Sequence, residues 1–403
     1  MIPFLEGHNM TREVVFVGAA RTAIGSFGGS LKDIPPADLG ALVIKTALER
    51  AGVAPKEVGH VVLGNVIPSV PQDAYISRVA ALNAGVPQET PAFNVNRLCG
   101  SGLQAIVSAA QAIQLGDCEV AVGAGAESMS RGAYLVTSNR WGARMGDVKM
   151  LDFMLGALHD PRLNIHMGIT AENVANRYDI TRAQQDAYAV QSQQRAAKAI
   201  AAGIFKDQIV PVEIKTRKGV VLFDTDEGVK ADTTVDALGK MKPAFKKEEG
   251  TVTAGNASTL NDGAGAVVMA SAEKAKALGL KPLARLVSYG HAGVEPEYMG
   301  IGPVPASRNA LAKAGLTVAD MDLIEANEAF AAQACAVAKE LGLDNEKVNP
   351  NGSGISLGHP VGGTGAILVT KAIYELQRTG GRYALITMCI GGGQGIAMII
   401  ERV

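Results

Sequence analysis

Leu48-Glu49-Arg50-Ala51-Gly52-Val53 returns 263 residues later as Leu311-Ala312-Lys313-Ala314-Gly315-Leu316. Both stretches close a helix-like segment on glycine, the residue that tolerates the left-handed conformation at a helix end. The same offset relates Val61-Val62-Leu63 to Ile324-Glu325-Ala326 and Gly100-Ser101-Gly102 to Gly363-Thr364-Gly365. It also relates Glu119-Val120-Ala121-Val122 to Arg382-Tyr383-Ala384-Leu385. One offset held without gaps from Leu48 to Val122 marks a duplicated unit. Within each copy, β-branched runs alternate with helical stretches, the pattern of a sheet covered by helices. The reading is therefore an α/β protein of two similar halves, over about 14–128 and 283–403.

Outward from the repeat, the chain divides further. Residues 129–258 are richer in Arg, Asp, Gln and Met and read as an inserted loop domain. Within it, Thr181-Arg182-Ala183-Gln184 has the spacing of a capping box and predicts a long helix ending near Gly203. Residues 259–282 return to the regular pattern and rejoin the first half, which then comprises 10–128 and 259–282. The second half is 283–403. Residues 1–9 precede a second methionine, Met10, and read as an extension or tag.

Composition narrows the function. The chain has 403 residues, 47% of them hydrophobic, and a net charge of −1. That balance argues against a nucleic-acid binder, which needs a basic surface, and against disorder. No apolar run of about 18 residues predicts a membrane span. Neither a secretory signal nor a peroxisomal C-terminal address is expected. Four cysteines are too few for a disulfide framework and suit a reducing cytoplasm. Glycine is abundant, 47 residues, and clusters late: Gly352 to Gly365, then Gly391 to Gly395. Such clusters allow a ligand to approach backbone N–H groups.

Two of the repeated turns carry chemistry. In Asn96-Arg97-Leu98-Cys99-Gly100-Ser101-Gly102, a cysteine stands before a helix whose N-terminal dipole favours thiolate. The 263 offset sets Asn96 opposite His359, so Cys99 and His359 occupy equivalent corners of the two halves. If pseudo-twofold symmetry joins those corners, His359 can take the thiol proton. Cys389 follows the strand-like run Ala384 to Thr387 and precedes Ile390-Gly391-Gly392-Gly393. Strand ends are where α/β folds place ligands. Asn327 lies at another strand end, where its amide could hold an oxygen or cap the Ala-rich helix that follows. Cys118 and Cys335 read as spectators, and His60, His159 and His291 lack a partner pattern. No metal-binding or Walker-type spacing occurs.

Four motifs then make a resemblance plain: Asn96–Gly102, Asn327-Glu328-Ala329-Phe330, Gly358-His359-Pro360 and Cys389–Gly393. From about Arg12 to Val403 the chain resembles the thiolases. Within that family it looks closest to bacterial short-chain β-ketothiolases of polyhydroxyalkanoate or acetoacetyl-CoA metabolism. The resemblance implies the thiolase fold, a five-layer αβαβα core with a loop domain, as a homodimer or homotetramer. It implies an acetyl-CoA C-acetyltransferase that condenses two acetyl-CoA, reversibly, through an acyl-enzyme. Cys99 would be the nucleophile, His359 its activator, and Cys389 the acid/base at the α-carbon. Asn327 would hold a water for one oxyanion hole, and the N–H groups of Cys99 and Gly391 would form another. Coenzyme A would lie along His166, Met167, Lys230, Phe245 and Ser258, with Leu260 and Phe330 near pantetheine or acyl group. No metal or cofactor is implied, and no nucleic-acid or membrane partner. Thr259 stands where many relatives have Gly, and Gly363 where many have Ala; both bear on acyl-chain preference. Alternatives are a broader 3-ketoacyl-CoA thiolase, a ketoacyl-carrier-protein synthase, which the second cysteine speaks against, and a thiolase-like lipid-binding or scaffold protein.

Overall fold

The computed structural model describes residues 12–403; the extension expected at 1–9 lies outside the described residues. In chain order the core elements are β1 (Val14–Arg21), α1 (Pro36–Ala51), β2 (His60–Gly64), α2 (Ile76–Asn83), β3 (Ala92–Val95), α3 (Ser101–Leu115) and β4 (Val120–Ser128). Then come α4 (Met167–Arg177), α5 (Arg182–Ala201), β5 (Asn261–Ser271), β6 (Ala284–Gly293), α6 (Pro303–Ala314), β7 (Leu323–Ala326), α7 (Ala331–Leu341), α8 (Thr364–Thr379), β8 (Tyr383–Ile390) and β9 (Gln394–Arg402).

The strand order is β7-β8-β9-β6-β1-β5-β4-β2-β3, and it reads as a mirror about the β6–β1 join. In the first half β2 and β4 are parallel while β5 runs antiparallel to both β4 and β1. In the second, β7 and β8 are parallel while β9 runs antiparallel to both β8 and β6. Among the described residues, the halves touch strand to strand where Val15 pairs with Arg285 and Phe16 with Ala284. Matching elements keep the 263 offset at their boundaries: Leu323 to His60, Thr364 to Ser101, and Tyr383 to Val120. Helices α1 and α6 end on Gly52 and Gly315, both left-handed.

Alternation along β1 shows the layers. Val15 and Val17 pack outward with Leu39, Val43 and Ile44 of α1. Val14 and Phe16 pack inward with Ile106 of α3 and Val369 of α8. All eight residues of β1 are buried because both faces are covered. Helix α6 covers the far side of the second half through Ala306, Ala310 and Leu311. The order α1, first-half strands, α3 with α8, second-half strands, α6 is the five-layer αβαβα arrangement. Helices α3 and α8 meet where Gly102 and Gly365 leave room for backbone.

Residues 259–282 return to the first half, as β5 lies between β1 and β4. The capping box at Thr181 and Gln184 forms, and α5 runs to Ala201. The loop region is anchored by the buried pair of Arg21 with Asp226 at 2.8 Å. Among the described residues, no helix is long and apolar enough to cross a membrane.

Candidate active site

Cys99 precedes α3 on a strained turn. Leu98 has φ +47°, the left-handed region that branched side chains avoid. Local hydrogen bonds hold it there: Leu98 N–H donates to Asn96 Oδ1 at 3.0 Å, and Ser101 Oγ–H donates to the Leu98 carbonyl at 2.6 Å. The turn lifts Cys99 into a cavity of about 600 Å³ that His359 also lines. All seven positions expected to hold coenzyme A or acyl group line the same cavity: His166, Met167, Lys230, Phe245, Ser258, Leu260 and Phe330. Phe245 stacks on His166 at 4.7 Å and meets Phe330 edge-on at 6.2 Å. Gly168 at the start of α4 permits this, since a Cβ there would overlap the Phe245 ring. Met129, Met154, Leu158 and Val361 make the wall near Cys99 apolar.

The remaining expected residues adjoin Cys99 and His359 without lining the cavity. Asn327 is buried, and its Nδ2 lies 3.4 Å from His359 Nε2. The buried Cys389 lies close enough to Cys99 for that thiol to disfavour its ionisation. The N–H groups of Gly391 and of Cys99 face the Cys99 sulfur and favour its thiolate. Strand β8 runs through Cys389 to Ile390, further than the expected end at Thr387, because β9 pairs back on it. Asn327 is no helix cap: α7 starts at Ala331 behind Phe330.

Hydrogen bonds define the tautomer of His359. Thr364 Oγ1 donates to the Pro360 carbonyl at 2.9 Å, so it accepts from His359 Nδ1–H at 2.6 Å. Nε2 is then the ring's lone pair, with the Asn327 amide as donor. Burial pushes the His359 pKa down to about 4. Burial also pushes the Cys99 thiol up to about 11, against the pull of the two N–H groups. The dipole of α3 favours thiolate at Cys99. Desolvation outweighs it, so the resting pair is a neutral thiol beside a neutral base.

Four further residues hold this geometry. Glu127, fully buried at the end of β4, accepts Asn65 Nδ2–H at 2.9 Å, the Ile67 and Val66 N–H groups, and Gly362 N–H at 2.8 Å. It thereby ties the Cys99 side to the His359 turn, although burial pushes its pKa up to about 8. Glu328 accepts from Ser192, Tyr188, Asn349 and the Ile355 N–H, fixing the Asn327 strand end. Asn261 Oδ1 accepts His359 N–H at 2.8 Å. Thr364 holds the ring. A carboxylate inside an apolar strand, as in Val120-Ala121-Val122-Gly123-Ala124-Gly125-Ala126-Glu127, was the available signal for Glu127.

A duplicated five-layer core with a cysteine and a histidine from equivalent corners, and a second cysteine alongside, defines an acyl-transfer fold of the thiolase type. The family comparison agrees: residues 14–273 match the thiolase N-terminal domain and 280–402 the thiolase C-terminal domain, and the chain belongs to the thiolase family. It is 68% identical to the β-ketothiolase BktB of Cupriavidus necator, covering 98% of this chain and 100% of that one. It is 53% identical to an acetyl-CoA acetyltransferase of Chromobacterium violaceum, covering 97% and 100%. The crystal structure of human mitochondrial 3-ketoacyl-CoA thiolase in complex with CoA superposes with a TM-score of 0.95 at 46% identity, covering 98% and 99%.

Proposed function

We propose that this protein is an acetyl-CoA C-acetyltransferase that works by ping-pong acyl transfer through Cys99. The observation that carries the reading is one cavity shared by Cys99 and His359, with Asn327 and Cys389 adjoining them. His359 Nε2 takes the Cys99 proton as sulfur attacks the thioester carbonyl. The N–H groups of Cys99 and Gly391 receive the oxyanion, which such donors stabilise as charge develops. Coenzyme A leaves as its thiolate and takes the proton of Cys389. The Cys389 thiolate then removes the α-proton of a second acetyl-CoA. Protonated His359 and a water on Asn327 stabilise that enolate, which attacks acetyl-Cys99. Acetoacetyl-CoA leaves, and the Cys99 thiolate recovers its proton from His359. The thioester acidifies its own α-carbon, so the scheme uses no metal or prosthetic group. The acting form is a cytoplasmic homodimer or homotetramer.

Thiolysis rates with coenzyme A on acetoacetyl-CoA, 3-ketovaleryl-CoA and 3-ketohexanoyl-CoA test the reading. A steep fall with chain length supports a dedicated acetoacetyl-CoA enzyme. A flat series supports a broader 3-ketoacyl-CoA thiolase, a reading favoured by the apolar wall of Met129, Met154 and Leu158. Failure to turn over any of the three, or full activity in Cys99→Ala, would refute the proposal.

A further inference from the structure

Thr259 lines the cavity that holds Cys99 and His359, and it is exposed there. Its hydroxyl donates to Asn261 Oδ1 at 2.9 Å. That same oxygen accepts the His359 N–H at 2.8 Å. Asn261 is fully buried, and its Nδ2 donates to the Gly25 carbonyl at 3.1 Å. Its amide also lies against Gly358, whose φ of +115° and lack of a Cβ let the His359 turn close upon it. The Asn261 amide is thus held at three points, by Thr259, the His359 N–H and the Gly25 carbonyl. We propose that Thr259 is a positioning residue for His359. Its hydroxyl orients Asn261, and Asn261 fixes the backbone from which the imidazole reaches toward Cys99.

The chemistry supports this assignment over a purely steric one. A hydroxyl that donates to Asn261 keeps its own lone pairs free on the cavity side. Filling the cavity with an acyl-CoA excludes water from that hydrogen bond, which strengthens it when His359 must act. The inference rests on the acyltransferase reading through the role of His359. Thr259 is itself exposed, so replacing it leaves the packed core untouched.

Two changes separate hydroxyl from shape. Thr259→Val keeps the shape and removes the donor; Thr259→Ser keeps the donor and removes the methyl group. In Thr259→Val, kcat for acetoacetyl-CoA thiolysis falls about five-fold, the factor one neutral hydrogen bond is worth. KM stays within about two-fold, and alkylation of Cys99 by iodoacetamide in the free enzyme slows by the same factor as kcat. Thr259→Ser restores at least half of both rates. The proposal is overturned if Thr259→Val matches the unmodified protein in both rates, or if Thr259→Ser falls as far as Thr259→Val. Absence of turnover in the unmodified protein would sink the acyltransferase reading instead, and the alkylation ratios would still decide the role of Thr259.

Discussion

Replacing Gly365 with alanine tests whether the contact between α3 and α8 sets the catalytic geometry. A Cβ on Gly365 would lie 2.8 Å from Leu103 Cα and closer to the Leu103 amide nitrogen. Neither neighbour is the end of a flexible side chain. Restoring an ordinary carbon contact of about 3.5 Å requires the helices to separate by at least about 0.7 Å. Cys99 stands two residues before α3 and His359 five before α8, so the separation passes directly into their spacing. A displacement approaching 1 Å at reacting groups costs about 10²-fold in rate. Overpacking of this kind also costs about 1–3 kcal/mol of stability. With about 2.1 cal/mol/K of unfolding entropy per residue, a chain of 403 residues loses roughly 1 °C of Tm per kcal/mol. The expected variant is therefore folded, about 2 °C less stable, and about 100-fold slower in acetoacetyl-CoA thiolysis. Gly239→Ala is the control, since a Cβ there meets nothing within 4 Å. Circular dichroism melts and steady-state thiolysis measure both quantities. If Gly365→Ala keeps its rate within two-fold of the control, the helix contact does not set the spacing, and the reasoning is wrong.

Cys389→Ala should still acetylate at Cys99 but lose condensation by about 10³-fold; mass spectrometry of the quenched enzyme beside an acetoacetyl-CoA assay separates the steps. His359, neutral and buried, has a folded pKa of about 4 against about 6.5 unfolded. The native state thus binds fewer protons in that window, and its contribution to stability, about 3 kcal/mol, is lost as pH falls from 6.5 to 4. Urea melts across that range should show the wild-type stability falling by that amount relative to His359→Gln. The difference isolates His359 from Glu127, whose raised pKa acts with the opposite sign. Asp226→Ala strands the fully buried Arg21 and should cost about 3–5 kcal/mol. It should also raise the KM for coenzyme A, because Glu227, Gly228 and Lys230 line the cavity just beyond it.

Much of the architecture was legible because duplication repeats boundaries. The glycines that end α1 and α6 take positive φ, and Gly102 and Gly365, which open α3 and α8, leave room for facing backbone; both pairs recur at one spacing. Cys99, His359, Cys389 and Asn327 were legible as candidates because each sits in a turn or at a strand end with its own local pattern. Glu127, Asn261, Thr364 and Glu328 were not singled out. Their partners lie mostly across long separations, as from Glu127 to Gly362 or Asn261 to His359, and such contacts leave no periodicity. The resting protonation of Cys99 was also out of reach, since a local dipole can be read from sequence but burial cannot.

The mirrored strand order has a consequence for how the chain is made. In each half the strand synthesised last is not the one at the margin. Strand β5 slots between β1 and β4, and β9 slots between β6 and β8. Until those late segments emerge from the ribosome, their neighbours carry unsatisfied backbone edges, the surfaces on which nascent chains aggregate. A chain stopped before Gln394 would retain every residue of the proposed catalytic set and still leave β6 and β8 unjoined. Assembly of this enzyme is therefore sealed by a segment that performs none of its chemistry, and premature termination there should yield insoluble protein rather than a weak catalyst.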